Sequence, residues 1–286
     1  MMYVCGAGLA AALLMGLPAL AGGVADGLVP HLDARGQAEY ANFQAAVEHR
    51  AFVIAPGGTW VWNADMPSPD IALQAALGDC QQHTEQRCVP YAVDDEVVFD
   101  AAAWPLSWGP YLNDEQAGKA VVGLRRGQRF PDIVFHTSIG VRRTVSDLRG
   151  KVLVLHFWGS WCPPCQREMP DLQALHAGFK PADDVAFVLL PVRESFATAM
   201  QWAASKKIKL PIFSGGETTV KDEAFLLTDG TQLNDRLLAK AFPTTYILDK
   251  HGIVVFSRIG PVARWQELAP FLRDAAAKSG QKIRRE

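Results

Sequence analysis

Residues 151–170 read KVLVLHFWGSWCPPCQREMP, and this stretch sets the expected fold. Lys151 to Phe157 is a continuous apolar run, the pattern of a strand buried on both faces. A Trp-Cys-Pro-Pro-Cys turn follows and opens a helix over 162–178. Cys162 therefore stands where strand gives way to helix. Unsatisfied backbone N–H groups and the positive end of the helix dipole meet there, and both favour a thiolate. The thiolate is the species that attacks a disulfide. Cys165 comes three residues on, nearly one helical turn later and within reach to close a disulfide. Cys162 is thus the expected nucleophile and Cys165 the resolving thiol. Pro163 suits the first helical position, where a missing N–H costs nothing. Together Pro163 and Pro164 fix the turn and withhold two donors from the sulfurs. Trp158 and Trp161 are expected to wall the site.

Other readings of C-x-x-C stay open. A structural zinc needs four ligands, and the chain offers no second C-x-x-C. A soft-metal carrier would use the two thiolates alone. A purely structural disulfide is the remaining alternative, and the placement of both cysteines at a helix start speaks against it.

Working outward, FPDIVF and VRRTV flank a turn at Gly140 ahead of the central strand. After the helix come strand DVAFVLLPV, a helix around Phe196 to Lys206 and a short strand IKLPIF. Residues 214–231 read as an irregular connection and 232–240 as a helix. FPTTYILD, a Lys250-His251-Gly252 turn, IVVFSRIG and a helix near Val262–Lys278 close the chain. This order predicts an α/β domain with a mixed sheet covered by helices on both faces.

FWGSWCPPCQREMP resembles the active site of the thioredoxin-like thiol–disulfide oxidoreductases, in their TlpA/ResA branch, over roughly residues 127–280. SDLRGKV before the strand, Pro170 five residues after Cys165, and FPTTYILDKHG carry the same resemblance in the same order. It implies a thioredoxin fold, with Pro243 as a cis-proline facing the dithiol between Phe242 and Thr244. Pro170 would kink the active-site helix by deleting a backbone hydrogen bond. Glu168 matches the glutamate which that branch carries three residues after the second cysteine. A partly buried carboxyl with a raised pKa there would handle protons for Cys165. His156 departs from thioredoxins proper, which place a buried aspartate six residues before the first cysteine. An imidazole there could shuttle a proton or be hydrogen-bonded in the core. The resemblance further implies net reduction of protein disulfides, such as those of apocytochrome c, and recharging by a membrane thiol-reductase donor. It implies no cofactor beyond the Cys162–Cys165 disulfide and no metal. Disulfide formation or isomerisation is the rival activity.

The first third reads differently. Glu39 to Arg50 suggests a helix with Phe43, Ala46 and Val47 on one face. AFVIA and TWVWN around Pro56-Gly57-Gly58 suggest a hairpin. Ser68-Pro69-Asp70 opens a second helix with Ile71, Leu73, Ala75 and Leu77 on its apolar side. Cys88 to Val93 and Glu96 to Asp100 read as further strands. So small a module needs a staple, and a Cys80–Cys88 disulfide would provide one worth about 2.5 kcal/mol. A metal site at Cys80, His83 and Cys88 is the weaker alternative. Residues 101–128 form an aromatic-rich connector in which Arg125 and Arg126 read as a solvated turn. The expected divisions are 1–21, 22–118 and 119–286.

The chain has 286 residues and a formal charge of −2, which leaves no basic footprint for nucleic acid. No charged residue precedes Asp26, and the apolar run LAAALLMGLPALA ends in Ala19-Leu20-Ala21. That pattern predicts a cleaved signal peptide, though without a leading Lys or Arg, and an uncleaved membrane anchor is the alternative. The expected location is periplasmic or otherwise exported, with a membrane tether as the variant. Four cysteines outside that segment suit an oxidising compartment.

Overall fold

The computed structural model describes residues 28–109, 111–179, 184–215 and 224–280. The expected signal segment lies outside them. No helix among the described residues is long and apolar enough to cross a membrane.

The first third is built on α1 (Ala34–Ala45), β1 (Ala51–Ala55), β2 (Thr59–Asn63), α2 (Pro69–His83), β3 (Val89–Val93) and β4 (Glu96–Val97). Its four strands form an antiparallel sheet in the order β2-β1-β3-β4. β1 is buried on both faces. Ala51, Val53 and Ala55 face α2, while Phe52 and Ile54 enter the main core. A disulfide joins Cys80 at the end of α2 to Cys88 before β3. These sulfurs are bonded to each other rather than to a metal.

Three local expectations shift. α1 begins five residues earlier than its apolar pattern suggests, because Asp33 caps it by accepting from Gly36 N. It also ends at Ala45, and Arg50 instead anchors the entry to β1 through Ala46 O and Asp95. Val47 is left exposed. In α2 the buried positions are Ala72, Ala76 and Cys80, whereas Ile71 faces solvent. Small residues let the helix lie close on β1, so bulk was the wrong guide to its inner face. The strand expected over Glu96 to Asp100 pairs only at Glu96 and Val97.

A connector with a 3₁₀ turn at Trp104–Ser107 and the short α3 (Asp114–Lys119) leads to the second half. There follow β5 (Val134–His136), β6 (Arg142–Thr144), β7 (Val152–Trp158), α4 (Pro163–Ala177), β8 (Val185–Pro191) and α5 (Phe196–Ser205). Next come β9 (Ala224–Leu226), β10 (Gln232–Asn234), α6 (Asp235–Leu238), β11 (Thr244–Leu248), β12 (Val254–Ile259) and α7 (Ala269–Lys278). The central sheet runs β12-β11-β7-β8, with β7 and β8 parallel and the other pairs antiparallel. This is the mixed sheet of a thioredoxin fold: a β-α-β unit around α4, then a β-β-α unit ending in α7. All seven residues of β7 are buried, as its unbroken apolar run requires.

IKLPIF contributes only a bridge from Ile212 to Leu189 on the β8 edge. The helix expected over 232–240 is the strand β10 followed by the single turn α6, capped by Asn234. α4 runs through Pro170 to Ala177.

The two halves share one apolar core. It joins Phe43, Phe52, Trp104 and Trp108 to Phe256, Trp265 and Phe271. Trp108 meets Phe271 edge-on at 5.7 Å. Tyr111 donates its hydroxyl to Asp274 at 2.8 Å. Arg126, read from sequence as solvated, reaches back to the carbonyls of Trp108 and Gly109.

Candidate active site

β7 delivers the chain into the sheet's end and α4 begins at Pro163, so Cys162 is the helix N-cap. Its Sγ accepts from the backbone N of Cys165 at 3.3 Å. A negative charge on Cys162 would be met by that donor and by the helix dipole. Pro163 and Pro164 occupy the first helical positions and donate nothing, so Cys165 supplies the N–H. Cys162 and Cys165 are joined as a disulfide. Cys162 keeps a sliver of exposure, 3%, where Cys165 has none.

The Phe242-Pro243 peptide is cis, as the resemblance implied. Phe242 O lies 3.6 Å from Cys162 Sγ. Gly260 N donates to Pro243 O at 2.8 Å, which ties this turn to the end of β12. Trp161 stands half-exposed beside the dithiol, edge-on to Phe242 at 5.7 Å, and donates its indole N–H to Val192 O at 2.9 Å. Trp158 is not a wall of the site. It is fully buried and packs on Trp202.

Behind Cys165, one turn along α4, Glu168 points into the core. Its Oε2 accepts from Val262 N at 3.0 Å and from the Trp265 indole at 3.2 Å. Its Oε1 lies 3.4 Å from His156 Nε2. Burial pushes the Glu168 carboxyl up to about 8, against the two donors and the more distant Arg258, which favour its charge. Burial likewise holds His156 down to about 3, so the ring is neutral. The contact is therefore a neutral pair near pH 7, with the proton on the carboxyl, and not an ion pair. His156 Nδ1 bonds Thr245 Oγ1 at 2.9 Å across the β7–β11 register, and its ring meets Trp265 edge-on at 5.6 Å.

The structure thus brings together Cys162, Cys165, Glu168, His156, Phe242 and Pro243, with Trp161 at the rim. Sequence reasoning passed over Thr245, Val262 and Trp265. Thr245 lies within the quoted FPTTYILD motif, and only strand pairing sets it opposite His156. Val262 and Trp265 lie about a hundred residues from Glu168 in a segment read as helix, and no local pattern marks them.

A sequence model of the Redoxin family matches residues 125–269, half of the chain. The thioredoxin-like protein YneN of Bacillus subtilis is 30% identical over 147 residues, covering 51% of this chain and 78% of that protein. The thiol-disulfide oxidoreductase ResA of Bacillus subtilis is 30% identical over 139 residues, covering 49% and 69%. The crystal structure of StoA from Bacillus subtilis aligns over 50% of this chain and 98% of that one, at 22% identity and a TM-score of 0.37. The Redoxin match spans the sheet that carries the dithiol and the cis-proline, and so this chain belongs to the redoxin family as a thioredoxin-like thiol–disulfide oxidoreductase of the ResA type.

Proposed function

We propose that this protein is an exported reductant of protein disulfides, working through Cys162 and resolved by Cys165. The observation that carries the reading is the buried carboxyl of Glu168, one helical turn behind Cys165, with a pKa of about 8. A carboxyl held this high is a better proton acceptor than an ordinary carboxylate, which suits it to take a proton from the Cys165 thiol.

The steps follow from these positions. The Cys162 thiolate attacks a substrate disulfide and forms a mixed disulfide, and one substrate sulfur leaves with the bonding electron pair. In the ionised fraction of Glu168, about a tenth near pH 7, Cys165 then gives its proton to the carboxylate and attacks Cys162 Sγ. The second substrate sulfur leaves and takes up a proton. Two electrons have passed to the substrate, and Cys162–Cys165 is the oxidised product. A dithiol donor on the membrane must reverse this change for the next cycle. The substrate class in this reading is protein disulfides such as those of apocytochrome c, and the ResA likeness and the apolar run near the start of the sequence support an exported or membrane-associated location.

Trapping tests the reading. Cys165→Ala should accumulate a mixed disulfide through Cys162 with its physiological substrate, and Cys162→Ala should not. The reverse pattern overturns the assignment of nucleophile. The reducing direction predicts a midpoint potential near that of thioredoxin, about −270 mV, and a value above about −150 mV would make the protein a disulfide-forming oxidase instead.

A further inference from the structure

Both hydrogen bonds to Glu168 Oε2 come from one segment, through Val262 N and the Trp265 indole. That segment leaves β12 at Ile259 and has one 3₁₀ turn of its own, Trp265–Leu268. Its position is therefore set by what packs on it. On one side is α4, where Asp171 Oδ2 accepts from Trp265 N at 2.6 Å.

On the other side is the N-terminal module. Arg258 Nη1 donates to Thr59 Oγ1 at 2.9 Å. The Glu267 carboxylate accepts from the backbone N of His31. The β1–β2 turn presses directly on β12: a Cβ at Gly57 would stand 2.5 Å from Phe256 Cζ, at a φ of +85° that disfavours any side chain. His31 holds this corner. It sits at φ 62° and is buried, its Nδ1 accepts from Gly57 N at 2.9 Å, and its ring meets Trp104 edge-on at 5.5 Å. A non-glycine residue in that region of φ persists only where its surroundings fix it.

We infer that the N-terminal module is a positioning element of the redox site: through His31, Gly57 and Thr59 it clamps the Arg258–Glu267 segment over Glu168 and excludes water from that carboxyl. The clamp matters for catalysis because of the proton-handling role proposed for Glu168. The charged and titratable groups facing Glu168 are His156 from β7, Asp171 on its own helix and Arg258 from β12. Those around His31 are Arg264 and Glu267. Burial is the largest influence on Glu168, so loosening the clamp hydrates the carboxylate and weakens its hold on the proton. Water replaces whatever donors are lost.

The test is a titration of Glu168 in the full chain, read at the Trp265 indole N–H resonance between about pH 5 and about pH 10. Loss of the resonance in Trp265→Phe assigns it, and loss of the transition in Glu168→Gln assigns the titration. The native transition belongs near pH 8. His31→Ala should lower it by about one pH unit, a tenfold weaker proton affinity, and Thr59→Val should lower it by less. His31→Gln, whose amide oxygen can accept from Gly57 N, should recover part of the shift. If His31→Ala does not fold, Thr59→Val decides alone. An unchanged midpoint in the folded variants overturns the inference, as does a native resonance without a transition that Glu168→Gln removes. Because the readout is a titration and not turnover, a Glu168→Gln protein with normal exchange kinetics would refute the proton-handling role while leaving the clamp separately decided.

Discussion

His156 Nε2 and Glu168 Oε1 face each other at 3.4 Å, and neither atom has a hydrogen-bond partner elsewhere among the described residues. Buried polar atoms without partners are costly, so the pair is best satisfied with one proton between them. The Thr245 hydroxyl on the far ring nitrogen holds the imidazole plane. His156 on β7 thus lies between the carboxyl on α4 and the hydroxyl on β11.

Replacing Glu168 by Gln should flatten the pH dependence of stability. The folded carboxyl ionises near 8 and the unfolded one near its ordinary value of 4.5. Between those values the unfolded chain carries fewer protons than the folded one, so native stability falls as pH rises through the window. Urea midpoints at about pH 6 and about pH 8.5 should differ by less in Glu168→Gln than in the native protein, the native loss being of order 1–3 kcal/mol. Equal losses in the two proteins would mean that Glu168 is not a buried neutral acid. The same variant should slow thiol exchange and change its pH profile.

His156→Phe fills similar space but removes both ring nitrogens. Thr245 Oγ1 and Glu168 Oε1 then lose their partner, at a cost of about 1–3 kcal/mol. The stability curve at acid pH should change too. A histidine held down to about 3 in the fold opposes folding increasingly as pH drops below its ordinary 6.5, and the variant should lack that loss. Denaturant unfolding at about pH 5 and about pH 7 measures both effects, and an unaltered difference between the two pH values would contradict the neutral assignment of the ring.

Cys80→Ser with Cys88→Ser opens a loop of eight residues' separation. The entropic contribution lost is about 2.5 kcal/mol. Thermal unfolding should show it as a lower Tm, while disulfide exchange at Cys162 in the folded protein stays unchanged. A variant that folds normally but loses exchange activity would give this disulfide a redox role.

Trp161 is 47% exposed and leans on Phe242 beside Cys162. Trp161→Ala should cost little stability, about 1 kcal/mol, because about half of the side chain is in water already. Reaction with protein disulfides should slow by about tenfold, the loss of a modest apolar contact. A small disulfide reagent should be much less affected, and equal slowing of both substrates would show that Trp161 acts on Cys162 itself and not on docking.

The sequence alone determined the local features. The unbroken run KVLVLHF could only be a buried strand, and two prolines after Cys162 could only open a helix, so the dithiol, its N-cap sulfur and the order of elements were legible from residues 151–170. The Cys80–Cys88 staple and the mixed sheet followed from count, spacing and order. Tertiary structure decided what lies across the chain. Thr245 reaches His156 only because β11 pairs with β7 in that register, and Trp265 reaches Glu168 only because the segment after β12 folds back over α4. The inner face of α2 was misread because close packing selects alanine over isoleucine where a helix must approach a strand. Periodicity and capping act between neighbours in sequence, whereas proton affinity at Glu168 depends on how completely distant segments exclude water from one carboxyl, and only the assembled fold sets that.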